Sequence, residues 1–278
     1  MKFSLSKGDK IFLGCLGAGY IITFVVMKII GHTYNLEGLG ERWIVQLPFG
    51  SGVLSRVNPM TLFVSWGLMV LLIIFALSIK KFERIPGKKQ SLIEMLLEYL
   101  FDLTEDTIPK KDFVKPTFYI ASTLFLFIVL SNLLGAIPGI DTVPTEEGIK
   151  FTLFQSSWYS PTSDLNTNAT FAVFVLIISH AFAIKAKGFF TWLKTFFEPS
   201  PVMLPMNIIS EIAKPISHSL RLFGNVMGGG LLALIISYLV KYYLLPTFLW
   251  AFFGIFIGAI QALVFTVLAI AYIGSVIE

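Results

Sequence analysis

The feature that most limits the fold of this chain is a series of long apolar runs. A transmembrane helix needs about 20 consecutive, mostly apolar residues to cross the hydrocarbon core of a bilayer. Six stretches of the sequence meet or approach this requirement: residues 11–30, 60–79, 116–138, 170–186, 203–240 and 246–277. The backbone of a spanning segment must satisfy its own hydrogen bonds. An all-α polytopic membrane protein with six membrane segments is therefore predicted.

Composition excludes the main alternatives. Charged residues make up 14% of the chain, whereas soluble domains carry roughly 25%. Hydrophobic residues make up 55%, far more than a disordered chain contains. The single cysteine excludes a disulfide framework and a cysteine-based metal site. The net charge of +4 is ordinary for a membrane protein and does not indicate a nucleic acid partner. We predict no cofactor and no fixed metal.

The lysines of the short loops predict the orientation of the chain. Three lysines precede the first stretch, four lysines and an arginine lie in residues 80–89, and three lysines lie at the end of the fourth stretch and beyond it. Because basic short loops stay in the cytoplasm, both termini are predicted to be cytoplasmic. Residues 11–30 form a longer run than the apolar core of a signal peptide and lack its cleavage site. We therefore interpret them as a true transmembrane helix.

Two further helical features follow from spacing and length. Residues 91–108 carry apolar side chains at helical spacing and acidic ones on another face, which predicts an amphipathic helix at the membrane surface or against a partner. A plain surface helix of a loop is the alternative. The last two stretches would be helices of about 57 and 48 Å, and the hydrocarbon core is only about 30 Å thick. Both are therefore predicted to be strongly tilted or bent.

Arg221 lies in the middle of the fifth stretch. A charge inside a membrane costs several kcal/mol or more, so it is a functional-site hypothesis by default. On a wheel of about 100° per residue, one face carries Arg221 together with Asn207, Glu211, Lys214, Ser217, His218 and Asn225. The opposite face is apolar and carries Ile216, Leu220, Leu222 and Val226. Simple hydrogen bonding between helices is the alternative explanation of this polar stripe.

Proline and glycine add detail to the last two stretches. Pro215 removes the helical partner of the Glu211 carbonyl, which leaves either a simple kink or a place for a cation or water. Small residues let another backbone approach closely, either the last helix of this chain or a separate moving partner. The glycines concerned are Gly228, Gly229 and Gly230, and, beside Gln261 in the last stretch, Gly254 and Gly258. Tyr272 lies on the same face as Gln261.

The run KPISHSLRLFG at residues 214–224, followed by Asn225, resembles the signature of subunit a of the bacterial F-type ATP synthase. NLLGAIP at residues 132–138, PTSDLNTNAT at residues 161–170 and the last stretch with Gln261 resemble the same family in the same order. The basic IPGKKQ turn also resembles it. The resemblance divides the chain into residues 1–59, an extra transmembrane helix with an outward loop, and residues 60–278, a subunit a-like membrane domain.

The resemblance implies a non-catalytic stator subunit of the bacterial plasma membrane. Its implied partners are a ring of c subunits, the b subunits of the peripheral stalk and the rest of the F1Fo complex. Arg221 is implied to face the ring carboxylates and to separate two offset half-channels for H+ or Na+. The implied ion pathway contains Asn207, Glu211, Lys214, Ser217, His218, Asn225, Gln261, Tyr272 and, in the outward loop, Asp164. Close contact with the ring is implied for Gly228, Gly229, Gly230, Gly254 and Gly258.

Two positions depart from the pattern of some proton-driven members of this family. Those members carry a protonatable Glu and His where this chain has Gly230 and Gly254. Because Na+ needs only room and oxygen ligands, the departure favours Na+ as the coupling ion. An ion-coupled secondary transporter is the alternative function, although the sequence lacks the paired broken helices of that class. A membrane protease lacks its motifs here, and a purely structural scaffold leaves Arg221 unexplained.

Overall fold

The computed structural model describes residues 45–46, 56–78, 87–145, 148–157, 159–240 and 244–278. The extra span predicted at residues 11–30 lies outside the described residues, as do the N-terminal lysines and most of the basic loop. These predictions stay untested.

Eight α-helices form the described part of the chain. They are α1 Pro59–Ser78, α2 Lys88–Thr107, α3 Lys111–Gly135, α4 Leu165–Lys187, α5 Phe189–Thr195, α6 Leu204–Val240, α7 Leu244–Ala251 and α8 Gly258–Ile277. A π-helical turn, Phe252–Ile257, joins α7 to α8. Short 3-10 turns at Pro161–Ser163 and Pro201–Met203 precede α4 and α6. The prediction of an all-α polytopic membrane protein is confirmed for the packed body of the chain.

Four helical spans in the described residues are long and apolar enough to cross a membrane. They are Pro59–Leu77, Lys111–Gly135, Leu165–Lys187 and Phe248–Ile277, and each overlaps a predicted stretch. The 37 residues of α6 coincide with the fifth predicted stretch, residues 203–240. Helix α4 begins at Leu165 rather than at residue 170 because Asp164 caps it, with Oδ1 accepting the main-chain N–H of Asn166 at 3.0 Å.

Two small antiparallel ribbons lie in the loops, where no strand is predicted from the sequence. Strand β1 Val45–Gln46 pairs with β2 Arg56–Val57. Strand β3 Pro138–Thr145 pairs with β4 Gly148–Ser157, with a register shift between Gly139 and Ile140. A ribbon satisfies its main-chain groups through the neighbouring strand, so a search for helical periods does not detect it.

The core of the described structure surrounds α8. Buried residues of α2, α3, α4 and α6 meet α8 in one apolar cluster, which contains Leu100, Phe125, Val175, Leu222 and Phe265. A second cluster, around Phe113 and Ile273, continues along α8. No other described element covers the outer face of α1, where Phe63 and Trp66 are 62% and 59% exposed. Such apolar exposure suits a helix that faces lipid.

The amphipathic helix α2 is confirmed and is partly covered by the chain itself. Leu100 and Thr104 are fully buried, whereas Glu98 and Asp102 are exposed. A Cβ on Gly274 of α8 would lie 2.8 Å from the carbonyl oxygen of Thr107. The C-terminal end of α2 therefore lies directly on α8, and its acidic side is exposed, as are Met95 and Tyr99.

Candidate functional site

Arg221 lies on an exposed face of α6, near the middle of this helix. Ser217, Gly224 and Asn225 are exposed on the same face. Among the described residues, no carboxylate lies within ion-pair distance of the Arg221 guanidinium. A guanidinium does not lose its proton in proteins. Helix α6 therefore presents an unpaired, permanent cation to whatever lies outside this part of the chain.

The apolar face expected opposite the arginine is only partly buried. Leu222 is fully buried, whereas Ile216 and Leu220 are 52% and 50% exposed. His218 and Ser219 are buried instead. Helix α6 is thus rotated so that its polar stripe lies at the edge between its packed and open faces. One part of the stripe points into the protein and another part points out.

The inward part of the stripe borders a recess between α4, α6 and α8. Its lining residues are Ala172, Leu176, Ser179, Glu211, Lys214, Pro215, His218, Tyr272 and Val276. The Lys214 ammonium donates a hydrogen bond to Oε1 of Glu211. It also lies 5.8 Å from the centroid of the Tyr272 ring, within the range of a cation–π contact. The two charges of the recess on α6 therefore compensate each other.

His180 of α4 faces the same carboxylate from the other side. Its Nε2 lies 3.4 Å from Oε2 of Glu211. The indole N–H of Trp192 on α5 donates to Nδ1 of His180 at 3.2 Å. No functional role for His180 is predicted from the sequence. The signal that would have pointed to it is a lone titratable side chain in an apolar span.

His218 connects α6 to α8 in the interior. It is only 1% exposed, and its Nε2 donates to the main-chain carbonyl of Phe265 at 3.1 Å. Its ring centroid lies 3.7 Å from that of Phe265 and 5.5 Å from that of Tyr272. His218 therefore joins the two helices and also forms part of the recess wall.

Asn225 and Gln261 form a direct pair between α6 and α8. The side-chain amide of Asn225 donates to Oε1 of Gln261 at 2.6 Å. Gln261 is 4% exposed, and its Nε2 is buried without a hydrogen-bond partner among the described residues. Since Asn225 lies one helical turn beyond Arg221, this pair borders the arginine. The structure thus brings together two residues that are far apart in the sequence.

Asn207 and Asp164 have contacts of their own within the fold. The side-chain amide of Asn207 donates to the main-chain carbonyls of Phe196 and Glu198, at 2.8 and 3.1 Å. Asn207 therefore ties the loop after α5 to α6. Besides capping α4, Asp164 accepts a hydrogen bond from the Thr61 hydroxyl at 3.1 Å. It thereby connects the start of α1 to the start of α4.

A buried polar network supports the start of α8. The side-chain amide of Asn132 on α3 donates to the carbonyl of Gly258 at 2.7 Å. Oδ1 of Asn132 accepts the Thr162 hydroxyl at 2.6 Å, and Asn168 donates to the Thr162 carbonyl at 2.7 Å. Gly258 lies where the π-helical turn ends. Nothing in the sequence alone indicates that Asn132 reaches this carbonyl.

The five glycines of the stripe and the last helix fall into two groups. A Cβ on Gly229, Gly254 or Gly258 would lie 2.6 Å from Phe253, 2.7 Å from Ala136 or 3.0 Å from Asn132. These three glycines therefore allow close packing within the chain. A Cβ on Gly228 or Gly230 would meet no atom within 4 Å. Gly228 lies beside Arg221 on a helical wheel, whereas Gly230, two residues further on, points about 200° away from Gly228.

The described residues contain no group of three or more His, Cys, Asp or Glu side chains arranged to hold a metal ion. The described charged groups of the site are Arg221 on the open face and the Glu211–Lys214 pair beside the recess, with His180 next to Glu211.

Comparison with known proteins matches residues 61–274 to the family described as ATP synthase A chain. A protein of Moorella thermoacetica named "ATP synthase subunit a" is 36% identical over 216 residues, which are 77% of this chain and 88% of that protein. A protein of Propionigenium modestum named "ATP synthase subunit a, sodium ion specific" is 34% identical over 232 residues, 83% of this chain and 78% of that protein. The range matched to the family includes Glu211, Arg221 and Gln261.

Proposed function

The chain belongs to the ATP synthase A chain family, and on that premise we propose that it is the stator subunit a that passes ions to and from a rotating ring of c subunits. The observation that carries the proposal is the Arg221 guanidinium on an exposed face of a long helix, with no ion pair among the described residues. A membrane protein keeps such a charge only where a partner or water compensates it. A carboxylate of a neighbouring ring supplies that compensation.

Arg221 has two tasks in this proposal. Its fixed positive charge attracts each arriving ring carboxylate and favours the ionised form of that carboxylate. The same charge repels a free cation, so it prevents direct passage between two offset half-channels. An ion must then bind to a ring site, travel with the rotation and leave on the other side. Each elementary charge that crosses 100 mV releases about 2.3 kcal/mol, which the rotation transmits to ATP synthesis.

The recess and the Asn225–Gln261 pair lie on opposite sides of Arg221 along α6. Glu211 precedes the arginine by about 15 Å of helix axis, and its end of α6 follows the lysines at the end of α4. On the orientation that these lysines predict, the recess belongs to the cytoplasmic half-channel, together with Lys214, His218 and Tyr272. The Asn225–Gln261 pair then borders the outer half-channel, with Asp164 nearer its entrance.

The face of α6 around Arg221 is the surface that we assign to the ring. Gly228, which lies beside Arg221 on a helical wheel, has open space where a Cβ would lie. Leu231 and Ile235, on the same side of this helix, are 49% and 52% exposed. A surface of glycine and aliphatic side chains lets another helix approach closely inside a membrane. The three glycines that pack against the chain's own residues instead set the spacing of the helices behind this surface.

We propose Na+ as the coupling ion. Gly254, where some proton-driven members carry His, has no room for that side chain because a Cβ there would lie 2.7 Å from Ala136. One relative at 34% identity is named as sodium ion specific. Hydroxyl and carbonyl oxygens suit Na+, and they require no proton relay. If ATP hydrolysis by the whole complex does not respond to Na+ at fixed pH, this part of the proposal is wrong.

The orientation and partners complete the proposal. The protein lies in the bacterial plasma membrane with both termini in the cytoplasm, because the short basic loops are predicted there. The exposed acidic side of α2, with Glu98 and Asp102, lies on the same side and is available to the b subunits of the peripheral stalk. The remaining F1Fo subunits couple the rotation to nucleotide chemistry.

The decisive experiment is Arg221→Ala in the assembled complex. We expect ATP synthesis driven by an imposed ion gradient to be lost, while the complex still assembles, because Arg221 is exposed and contributes no ion pair within the described part of the chain. ATP synthesis in inside-out vesicles is the measurement. Lys111→Gln, which removes an exposed lysine at the start of α3, is the matched control. Normal coupling in the Arg221→Ala complex would exclude the proposed role.

A further inference from the structure

His180 lies between Trp192 of helix α5 and the Glu211 carboxylate of the recess. It belongs to α4, whereas Trp192 belongs to α5 and Glu211 to α6. The Trp192 indole N–H donates to His180 Nδ1 at 3.2 Å, and His180 Nε2 lies 3.4 Å from Glu211 Oε2. Three separate elements thus meet through one imidazole ring.

The indole contact determines which ring nitrogen of His180 carries a proton. The indole N–H is a donor only, so the nitrogen that it contacts must accept. Nδ1 therefore has no hydrogen, and the neutral ring must carry its hydrogen on Nε2. That N–H faces the Glu211 carboxylate. The gap of 3.4 Å is slightly longer than a direct N–H···O hydrogen bond, and a small rotation of either side chain closes it.

The second oxygen of Glu211 has no alternative donor within the described chain. Oε1 already accepts from the Lys214 ammonium. Oε2 is buried and has no hydrogen-bond partner among the described residues. The His180 N–H is thus the donor that keeps Oε2 turned away from Lys214. Without it, the carboxylate is free to rotate and to offer both oxygens to the ammonium, which lowers its attraction for a passing cation.

We propose that His180 is a positioning residue of the ion pathway, which holds the Glu211 carboxylate in place and is itself oriented by Trp192. This inference rests on the proposed function, since it requires that Glu211 borders the pathway. Helix α5, which carries Trp192, is held in place by further contacts. Trp192 and Phe196 both contact the His180 ring, at centroid distances of 5.7 and 6.1 Å. The side-chain amide of Asn207 on α6 donates to the Phe196 carbonyl just after α5, which ties the end of α5 to α6.

The test measures ion-dependent ATP hydrolysis in the purified complex, with Na+ varied at fixed pH and, in a second series, pH varied at fixed Na+. For His180→Ala we expect the half-saturating concentration of the coupling ion to rise about fivefold. The maximal rate should stay nearly unchanged, because Arg221 and the ring are untouched. A loss of packing alone lowers the amount of complex and its maximal rate instead. An unchanged half-saturating concentration overturns the proposal.

Two conservative variants separate positioning from packing. The amide nitrogen of Gln reaches the place of Nε2, and that of Asn reaches only the place of Nδ1. His180→Gln should therefore restore most of the ion affinity, whereas His180→Asn should behave like His180→Ala. Trp192→Phe keeps an aromatic ring but removes the indole donor, and a smaller shift in the same direction is expected. Equal behaviour of the Gln and Asn variants contradicts the proposal.

A double variant shows whether His180 acts through Glu211. If it does, His180→Ala adds nothing to the effect of Glu211→Gln, because the group it positions has already changed. Independent, multiplying effects overturn the inference. The same measurements keep it distinct from the proposed function. If Glu211→Gln and His180→Ala are both silent while Arg221→Ala abolishes coupling, the stator role stands and the positioning role fails.

Discussion

The recess beside Glu211 and the open face around Arg221 lie on the same helix, but their charged side chains differ in whether they have partners within the described chain. In the recess, Glu211 contacts Lys214 and His180, so each charge has a partner within the chain. On the open face, Arg221 has no acidic partner among the described residues. Paired charges maintain the shape of a pathway, whereas an unpaired charge requires a partner from outside. On the proposed function, the recess belongs to the ion pathway and the open face meets the ring.

Removing the positive charge of Arg221 or of Lys214 on α6 should give the largest difference between these two regions. We expect Arg221→Ala to abolish gradient-driven ATP synthesis, since Arg221 is the cation that we propose compensates the ring carboxylate. Lys214→Ala leaves Glu211 in place with His180, so synthesis should fall by about threefold to tenfold. The rates are compared in vesicles that contain equal amounts of complex. Similar losses in both variants would contradict the division into a conducting region and a ring-facing region.

The neighbouring glycines offer the next test. Gly229→Leu brings a side chain against Phe253, where a Cβ alone lies at 2.6 Å, and should destabilise the subunit by about 1–3 kcal/mol. Gly228→Leu meets no atom of the described chain within 4 Å of its Cβ, so the isolated subunit should keep its stability. Thermal unfolding of the purified subunit in detergent measures both.

The same pair of variants also tests the ring surface in the complex. If the ring approaches the open face closely, Gly228→Leu should reduce ATP hydrolysis in the assembled complex although the subunit alone is stable. Gly67→Leu, at another position of a membrane helix where a Cβ meets nothing within 4 Å, serves as the control. Full activity of the Gly228→Leu complex would place the ring elsewhere.

The Asn225–Gln261 pair should show a smaller effect. Each single alanine variant loses the 2.6 Å hydrogen bond between α6 and α8. Hydrogen bonds between membrane helices contribute about 0.6–2 kcal/mol, so a double-mutant cycle on unfolding in detergent should give a coupling energy in this range. An energy near zero means that the two amides do not interact in the membrane.

Thr61→Val should have the smallest effect of all. Its hydroxyl contacts Asp164 and the Tyr159 hydroxyl, both at 3.1 Å, and lies at the start of α1 rather than beside Arg221. We expect a loss of about 0.5–1.5 kcal/mol in unfolding free energy, with unchanged ion dependence of ATP hydrolysis. Thr61→Ser keeps the hydroxyl and is the control. A changed ion dependence would give this contact a role in conduction.

The helices were largely predictable because their signal is local. A run of apolar residues implies a spanning helix wherever it occurs, and α1 and α8 follow from their runs. The ends were less predictable, since they depend on individual caps such as Asp164. The π-helical turn before α8 was not predictable. Its end is supported by Asn132, a residue of another helix, which bonds the Gly258 carbonyl.

The candidate site divides in the same manner. Arg221 stands out in the sequence because a charge in an apolar run is costly inside a membrane, and the stripe around it follows from helical spacing. The rotation of α6 is not evident, and the exposure of Leu220 and the burial of His218 follow from it. The contact between His180 and Glu211 was not predicted because the two residues lie on different helices.

The sequence alone therefore determined the class of the protein, its family resemblance and the position of the charge Arg221 inside an apolar run. Only the tertiary structure decided which polar groups meet: Asn225 with Gln261, and His180 with Glu211. The physical reason lies in helix packing. The rotation and relative height of two helices are set by small residues at their contact, such as Gly229 and Gly254. The period of a single helix contains no information about either.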